Sequence, residues 1–325
     1  MLGHVAVRLA QALVVMLVMS VLVFVGVYAI GNPVDILISP EATELDREAQ
    51  IIRLGLDKPL WEQFLLYVVN VARGDLGNSF VYGTPALTLI LQRLPATLEL
   101  ALVALAISVF LGVPLGVIAG LRPDTAAGRS IMAGSILGFS LPNFWQGMML
   151  ILIFAVILGW LPAGGRGTTA DVLGLQLSIF TRDGLAHLIL PAINLALFKL
   201  SLVIRLARAA TREVALQDYV KFARAKGLSE RRIVLVHILK TIMIPITTVL
   251  GLELASMIAF GIVTETVFSW PGMGKLLIDS IELLDRPVIV AYLMLTVFMI
   301  VMINLVVDVL YAVLDPRINL KDVTT

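Results

Sequence analysis

Residues Pro95–Gly120 read PATLELALVALAISVFLGVPLGVIAG, 26 residues with Glu99 as the one formal charge. A helix that crosses a membrane needs about 20 consecutive, mostly apolar residues. This stretch meets that length, and so do Leu9–Ile30, Ile131–Gly159, Leu185–Ala207, Ile242–Thr264 and Pro287–Leu314. Backbone groups in lipid must be bonded within the segment, so such spans are helices. Membrane strands would instead show about ten residues of alternating polarity. The sequence therefore predicts an all-α polytopic membrane protein with six transmembrane helices. Pro114 and Pro142 fall inside spans and mark kinks or re-entrant points.

Composition agrees. Hydrophobic residues make up 59% of the 325 and charged residues 14%, against about 25% charged in an ordinary soluble domain. Mean hydropathy is +0.98. A soluble enzyme, a nucleic-acid-binding module and a disordered scaffold are excluded. The net charge of +1 offers nucleic acid no bulk attraction. With no Cys there is neither a disulfide frame nor a thiolate metal site. Leu9–Val34 is uncharged over 26 residues, longer than the apolar core of about 7–15 residues in a signal peptide. Gly31-Asn32-Pro33 stands where an A-x-A-like cleavage site would follow the apolar run, so the stretch reads as a retained helix with Arg8 at its cytoplasmic end.

Lys and Arg set the direction. With the N-terminus inside, the inner segments hold 14 of the 24, and the much longer outer segments hold 9. Both termini are expected to be cytoplasmic. Four parts follow: residues 1–30 with the first span, an extracytoplasmic segment over 31–94, a core over 95–314 with the remaining spans, and a tail over 315–325.

The segment 31–94 is too long for a plain connector. Ser39-Pro40 looks like a helix start, a second helix begins near Asp57-Lys58-Pro59, and a third begins at Thr84-Pro85. These helices can lie on the outer leaflet or cap the bundle, and can also form a docking surface for an extracytoplasmic partner; the two readings do not exclude each other. The inner segment 208–241, RAATREVALQDYVKFARAKGLSERRIVLVHILKT, is the most polar stretch. Glu213–Lys226 is helix-compatible, Gly227 is a helix stop, and Ser229 would cap a second helix. Such a basic element can rest on anionic lipid, or it can act as a rigid lever on a cytoplasmic partner.

Tyr219-Val220-x-x-Ala223-Arg224-Ala225-Lys226-Gly227-Leu228 resembles the coupling-loop motif of ABC importer permeases, in the variant of the dipeptide/oligopeptide branch. Further likenesses follow in order. They are Gly31-Asn32-Pro33 (with Asn32 in place of the family's Asp), Leu54–Leu60, Arg73–Gly77, Arg93–Leu100, Ser140–Trp145, Gly159–Gly164, Glu265–Gly272 and Asn304–Arg317. The resemblance implies the type I ABC importer permease fold in a bacterial cytoplasmic (inner) membrane. It implies a second permease subunit, usually a paralogue, two cytoplasmic ABC ATPases and an extracytoplasmic solute-binding protein that mostly delivers peptides. It also implies that the coupling element comprises Asp218, Tyr219, Ala223, Arg224, Ala225, Lys226, Gly227, Leu228 and Ser229. The family's broader motif often has Glu six residues before the Gly; here that place is Lys221, so no acidic contact is expected there.

The residues say independently that ATP chemistry belongs elsewhere. A phosphate-cradling loop needs G-x-x-x-x-G-K-[ST]. The one Gly-Lys pair is Gly274-Lys275, with Ser269 where the first Gly should stand and Leu276 after it. No cofactor is expected in this chain; ATP and Mg would sit on partner subunits. His4, His187 and His237 are isolated from one another, and no G-x-S-x-G is present, so neither a zinc protease nor a serine hydrolase is indicated. An ion-coupled secondary transporter is the remaining rival, and nickel complexes, opines or sugars are alternative cargoes for the same machinery.

Ionisable residues within spans are functional candidates by default. Glu99 lies near an outer end and is expected to reach the interface. Lys199 and Glu253 are not expected from the family pattern; they could snorkel, pair with each other or line the pathway. Asn143 and Gln146 are further pathway candidates.

Overall fold

The computed structural model describes residues 11, 14–26, 43–53 and 57–314. Helices in chain order are α1 (Val14–Gly26), α2 (Glu44–Arg53), α3 (Leu60–Ala72), α4 (Ala86–Leu121) and α5 (Ala126–Ser140). Next comes α6 (Asn143–Ile157), whose last seven residues are π-helical. A two-stranded antiparallel hairpin, β1 (Ala170–Val172) and β2 (Leu175–Leu177), precedes α7 (Arg182–Ala215) and α8 (Asp218–Ala225). Then come α9 (Glu230–Phe260), π-helical over Ile233–Ile238, α10 (Ile262–Val267), α11 (Met273–Glu282) and α12 (Arg286–Leu314). Among the described residues four helices, α4, α7, α9 and α12, are long and apolar enough to cross a membrane. The bent pair α5–α6 makes a fifth if counted as one span. The expected first span is described only over its middle. Both chain ends, Gly31-Asn32-Pro33 and Ser39-Pro40 lie outside the described residues.

Three expectations are corrected. The third outer helix and the second span are one continuous helix, α4, with Pro95 and Pro114 inside it. The expected Ile131–Gly159 helix is broken by 105° between α5 and α6. Pro142 disfavours the helical conformation of the residue before it, and Leu141 accordingly sits at φ −87, ψ 137. The helix expected over Glu213–Lys226 is interrupted at Leu216–Gln217, so α8 stands alone as a two-turn helix.

The chain divides into two compact units. One comprises Met1–Thr97 with Pro271–Met302, the other Leu98–Trp270 with Ile303–Thr325. In the first, Phe24 meets Phe64 edge-on at 5.2 Å and Tyr67 at 5.9 Å, joining α1 to α3. Asp285, fully buried, accepts from the Ser79 hydroxyl and from the Phe80 amide at 3.0 Å. The Thr97 hydroxyl accepts from the Met273 amide at 2.8 Å.

In the second unit α4 and α7 meet along a seam of small residues. A Cβ on Gly112 would stand 2.8 Å from Val203, one on Gly116 2.5 Å from Ala207, and one on Gly120 2.8 Å from Thr211. The glycines recur every four residues and so do their partners, which is the spacing that lets two membrane helices touch backbone to backbone. The same unit buries a core of Val113, Val117, Val203, Ala207, Val214, Val220, Ala223 and Ile233 with Ile238, Ile242 and Ile246. That core fixes α8 against α4, α7 and α9.

Candidate functional site

The corner α7–α8–α9 is built from its sequence. Val220 and Ala223 of α8 point into the core, while Tyr219 and Phe222 stay exposed. Asp218 is almost fully exposed and accepts from Lys221 at 2.9 Å. Lys226 lies 4.6 Å over the Phe222 ring, a cation–π contact. The chain then leaves the helix through Gly227 at φ +77. The Gly227 amide donates to the Arg224 carbonyl at 2.9 Å and the Leu228 amide to the Ala223 carbonyl at 3.2 Å. This pair of bonds is the Schellman ending, which needs the left-handed conformation that glycine adopts without strain. Ser229 is extended (φ −63, ψ 142) and starts α9, but its side chain makes no capping bond. Arg224 closes the corner by donating to Glu230 at 2.8 Å. That hydrogen bond holds the Glu230 carboxyl below its ordinary range and the Arg224 guanidinium above its own. Ala225 is the last residue of α8, and Tyr219 Oη meets the Thr241 hydroxyl of α9 at 3.1 Å. All nine residues to which the resemblance gives a coupling role thus fall on one braced corner between two long apolar helices.

The pathway candidates separate into three places. Lys199 forms an ion pair with Glu253 and donates to Ser256 Oγ at 2.8 Å, so α7 and α9 are tied inside the span. Their side chains are 11% and 19% exposed, so both ions lie largely out of solvent. Asn143 accepts from Asn194 at 2.8 Å and donates to Thr264 at 3.2 Å, linking α6, α7 and α10. Gln146 is buried and donates to the Gly138 and Leu141 carbonyls, 2.9 Å each. These are carbonyls at the α5–α6 break, which would otherwise lack partners in lipid.

Glu99 corrects another expectation. It does not reach the interface but is buried, paired with Arg166 at 2.8 Å and accepting from the Ile179 amide at 2.8 Å. Arg166 also donates to Ser178 at 3.0 Å and stacks 5.7 Å over Trp270. This pair braces the segment that carries the β1–β2 hairpin. The hairpin turns at Leu173 (φ 56) and Gly174 (φ 82), and Leu173 is 99% exposed at its tip. Reading only ionisable residues in the spans overlooked Asn194 and Thr264; their polarity inside apolar runs was the available signal.

The profile of the family described as binding-protein-dependent transport system inner membrane component matches residues 112–320, and its N-terminal companion matches residues 1–101. The chain belongs to this family. It is therefore an inner-membrane permease component of a binding-protein-dependent transport system. It is 39% identical to the di/tripeptide transport system permease protein DppB of Pseudomonas aeruginosa, over 98% of this chain and 99% of that protein. It is 38% identical to the oligopeptide transport system permease protein AppB of Bacillus subtilis, over 96% and 98%. It is also 38% identical to the glutathione transport system permease protein GsiC of Escherichia coli, over 99% and 100%. Among solved structures it is similar to a chain of the inward-facing MetNI methionine ABC transporter. The TM-score there is 0.53 at 15% identity, covering 70% of this chain and 96% of that one. That likeness gives the fold of an ABC importer permease.

Proposed function

We propose that this permease forms half of an ATP-driven translocation pathway for di- and oligopeptides. The braced α8 corner carries the reading: a short helix, closed at Gly227 and bonded from Arg224 to Glu230, presents Tyr219 and Phe222 outward between two membrane-crossing helices. A corner so held moves as one body, so a push on α8 reaches α7 and α9 without being absorbed in a loop. A second permease completes the pathway, and α8 enters a groove on a separate ATPase chain that holds ATP and Mg. An extracytoplasmic binding protein delivers the peptide, and the exposed Leu173 hairpin is one surface it meets. Alternating access then needs ATP and substrate to bind the two states differentially. The peptide reading draws on the cargo named for the relatives. Both termini cytoplasmic, with six spans, complete this topology.

The chain has no Cys, so Phe222→Cys supplies a unique thiol on the exposed face of α8. In membranes containing the whole transport system, a bifunctional thiol reagent should join it to an ATPase chain, and ATP should change the yield. Cross-links confined to lipid or to the permease itself would sink the coupling assignment. Mass spectrometry of the ligand on the binding protein separates peptides from other cargo.

A further inference from the structure

We propose that the groove between α4 and α9 is a binding site for one anionic phospholipid, with an acyl chain in the groove and the phosphate held by Arg122 and Arg231. The groove encloses about 350 Å³ and is walled by apolar side chains, Val113, Val117 and Ile118 of α4 facing Val234, Leu235 and Leu239 of α9. Lipid tails are as apolar as these side chains, so the walls accept any acyl chain and choose none. The choice comes from charge at the mouth.

Arg122 stands one turn beyond Ile118, and its amide donates to the Ile118 carbonyl at 3.0 Å. Arg231 stands three and four residues before Val234 and Leu235, on the same helical stripe. The end of α4 and the start of α9 share one end of the bundle, because Val117 and Ile233 lie in one core with Val220 and Ala223 of α8. Both guanidiniums are therefore carried at the α8 end of the groove. Both are exposed, and neither makes an ion pair among the described residues. The nearest carboxylate on α9, Glu230, is already bound to Arg224 at 2.8 Å. Asp124, two residues beyond Arg122, is exposed. A guanidinium binds phosphate through a fork of donors, and two of them across a groove mouth suit one phosphodiester. Val234 and Leu235 of the α9 wall belong to its π-helical stretch, a distortion that recurs at functional sites.

The test is photolabelling of the full chain in nanodiscs of phosphatidylcholine containing one-tenth phosphatidylglycerol. Leu235 is replaced by p-benzoylphenylalanine and the adduct is read by mass spectrometry. Basic residues at the surface each favour anionic lipid by about fivefold, so the phosphatidylglycerol-to-phosphatidylcholine ratio in the adduct should exceed the bulk ratio of about 1:9 by roughly 25-fold. Arg122→Gln with Arg231→Gln should return the adduct to the bulk ratio with its total yield unchanged. Arg122→Lys with Arg231→Lys should keep most of the enrichment, which excludes unfolding as the cause. A wild-type adduct at the bulk ratio would overturn the proposal. So would a Leu235 adduct, in native membranes, to another protein chain rather than to lipid.

Discussion

Gly227→Pro isolates the coupling corner from the rest of the molecule. Gly227 sits at φ +77, and a Cβ placed there meets nothing within 4 Å. Its substitution therefore costs conformation and not space. Alanine must enter the left-handed region, at about 1–2 kcal/mol, which depletes the observed corner roughly five- to thirtyfold against alternatives. Proline does more. Its ring fixes φ near −65° and it has no amide to give the Arg224 carbonyl. It also disfavours the helical conformation of Lys226, which is at φ −75, ψ 0. Together these exceed about 3 kcal/mol, more than a hundredfold at about 1.4 kcal/mol per tenfold. Asparagine, which tolerates the left-handed region, should behave nearly as glycine does. The assay is uptake and ATP hydrolysis, measured side by side in proteoliposomes holding the whole transport system. We expect Gly227→Pro to hydrolyse ATP with uptake lost, Gly227→Ala to be intermediate and Gly227→Asn to be near normal. Uptake by Gly227→Pro at the wild-type ratio to hydrolysis would refute the reasoning.

Four further outcomes follow from the geometry. Glu99→Gln leaves the largely buried Arg166 guanidinium without its carboxylate, and should cost roughly 3 kcal/mol, read as a lowered melting temperature in detergent. Lys199→Met alone should destabilise by a similar amount, whereas Lys199→Met with Glu253→Met should return to within about 1 kcal/mol of wild type, since the paired charges are removed together. Gly116→Val drives into Ala207 and the Ile204 carbonyl and should cost at least about 2 kcal/mol, while Gly134→Ala, with open space around it, should be neutral or slightly stabilising in the same melts. The Glu230 carboxyl is held below its ordinary range by Arg224. Its contribution is therefore complete above the ordinary carboxylate pKa and disappears as pH falls through the lowered value. At neutral pH, Glu230→Gln should speed hydrogen exchange at the Leu228 amide slightly; well below the carboxylate range it should match wild type at the same pH. The exposure of the pair keeps this effect small and salt-sensitive.

Much of the architecture was legible because lipid imposes a simple rule, that long uncharged runs must be helices. Four of the expected spans correspond to α4, α7, α9 and α12. The exits from regular structure were less legible. Pro142 announced a break, yet neither its 105° nor the bonds from Gln146 to the Gly138 and Leu141 carbonyls could be read from spacing, because packing sets them. Pro95 looked like a helix start and lies inside α4 instead. Gly227 was legible as a stop, because a left-handed residue after a helix strongly favours glycine. The break at Leu216–Gln217 carries no such residue and was not. Lys199 and Glu253 were visible as charges in apolar runs, but nothing in sequence spacing joins positions on different helices. Glu99 misled for the same reason, since its partner Arg166 lies 67 residues away in the chain. The Gly112, Gly116 and Gly120 spacing was a readable signal for the α4–α7 seam that hydropathy alone passes over.

The most direct test of the central claim is uptake of a labelled dipeptide into proteoliposomes containing this permease, the second permease, the ATPases and the binding protein. Uptake should require ATP and binding protein, be indifferent to proton or sodium gradients, and stop when the ATPases are left out. Dipeptide uptake driven by an ion gradient with no ATPase present would contradict it.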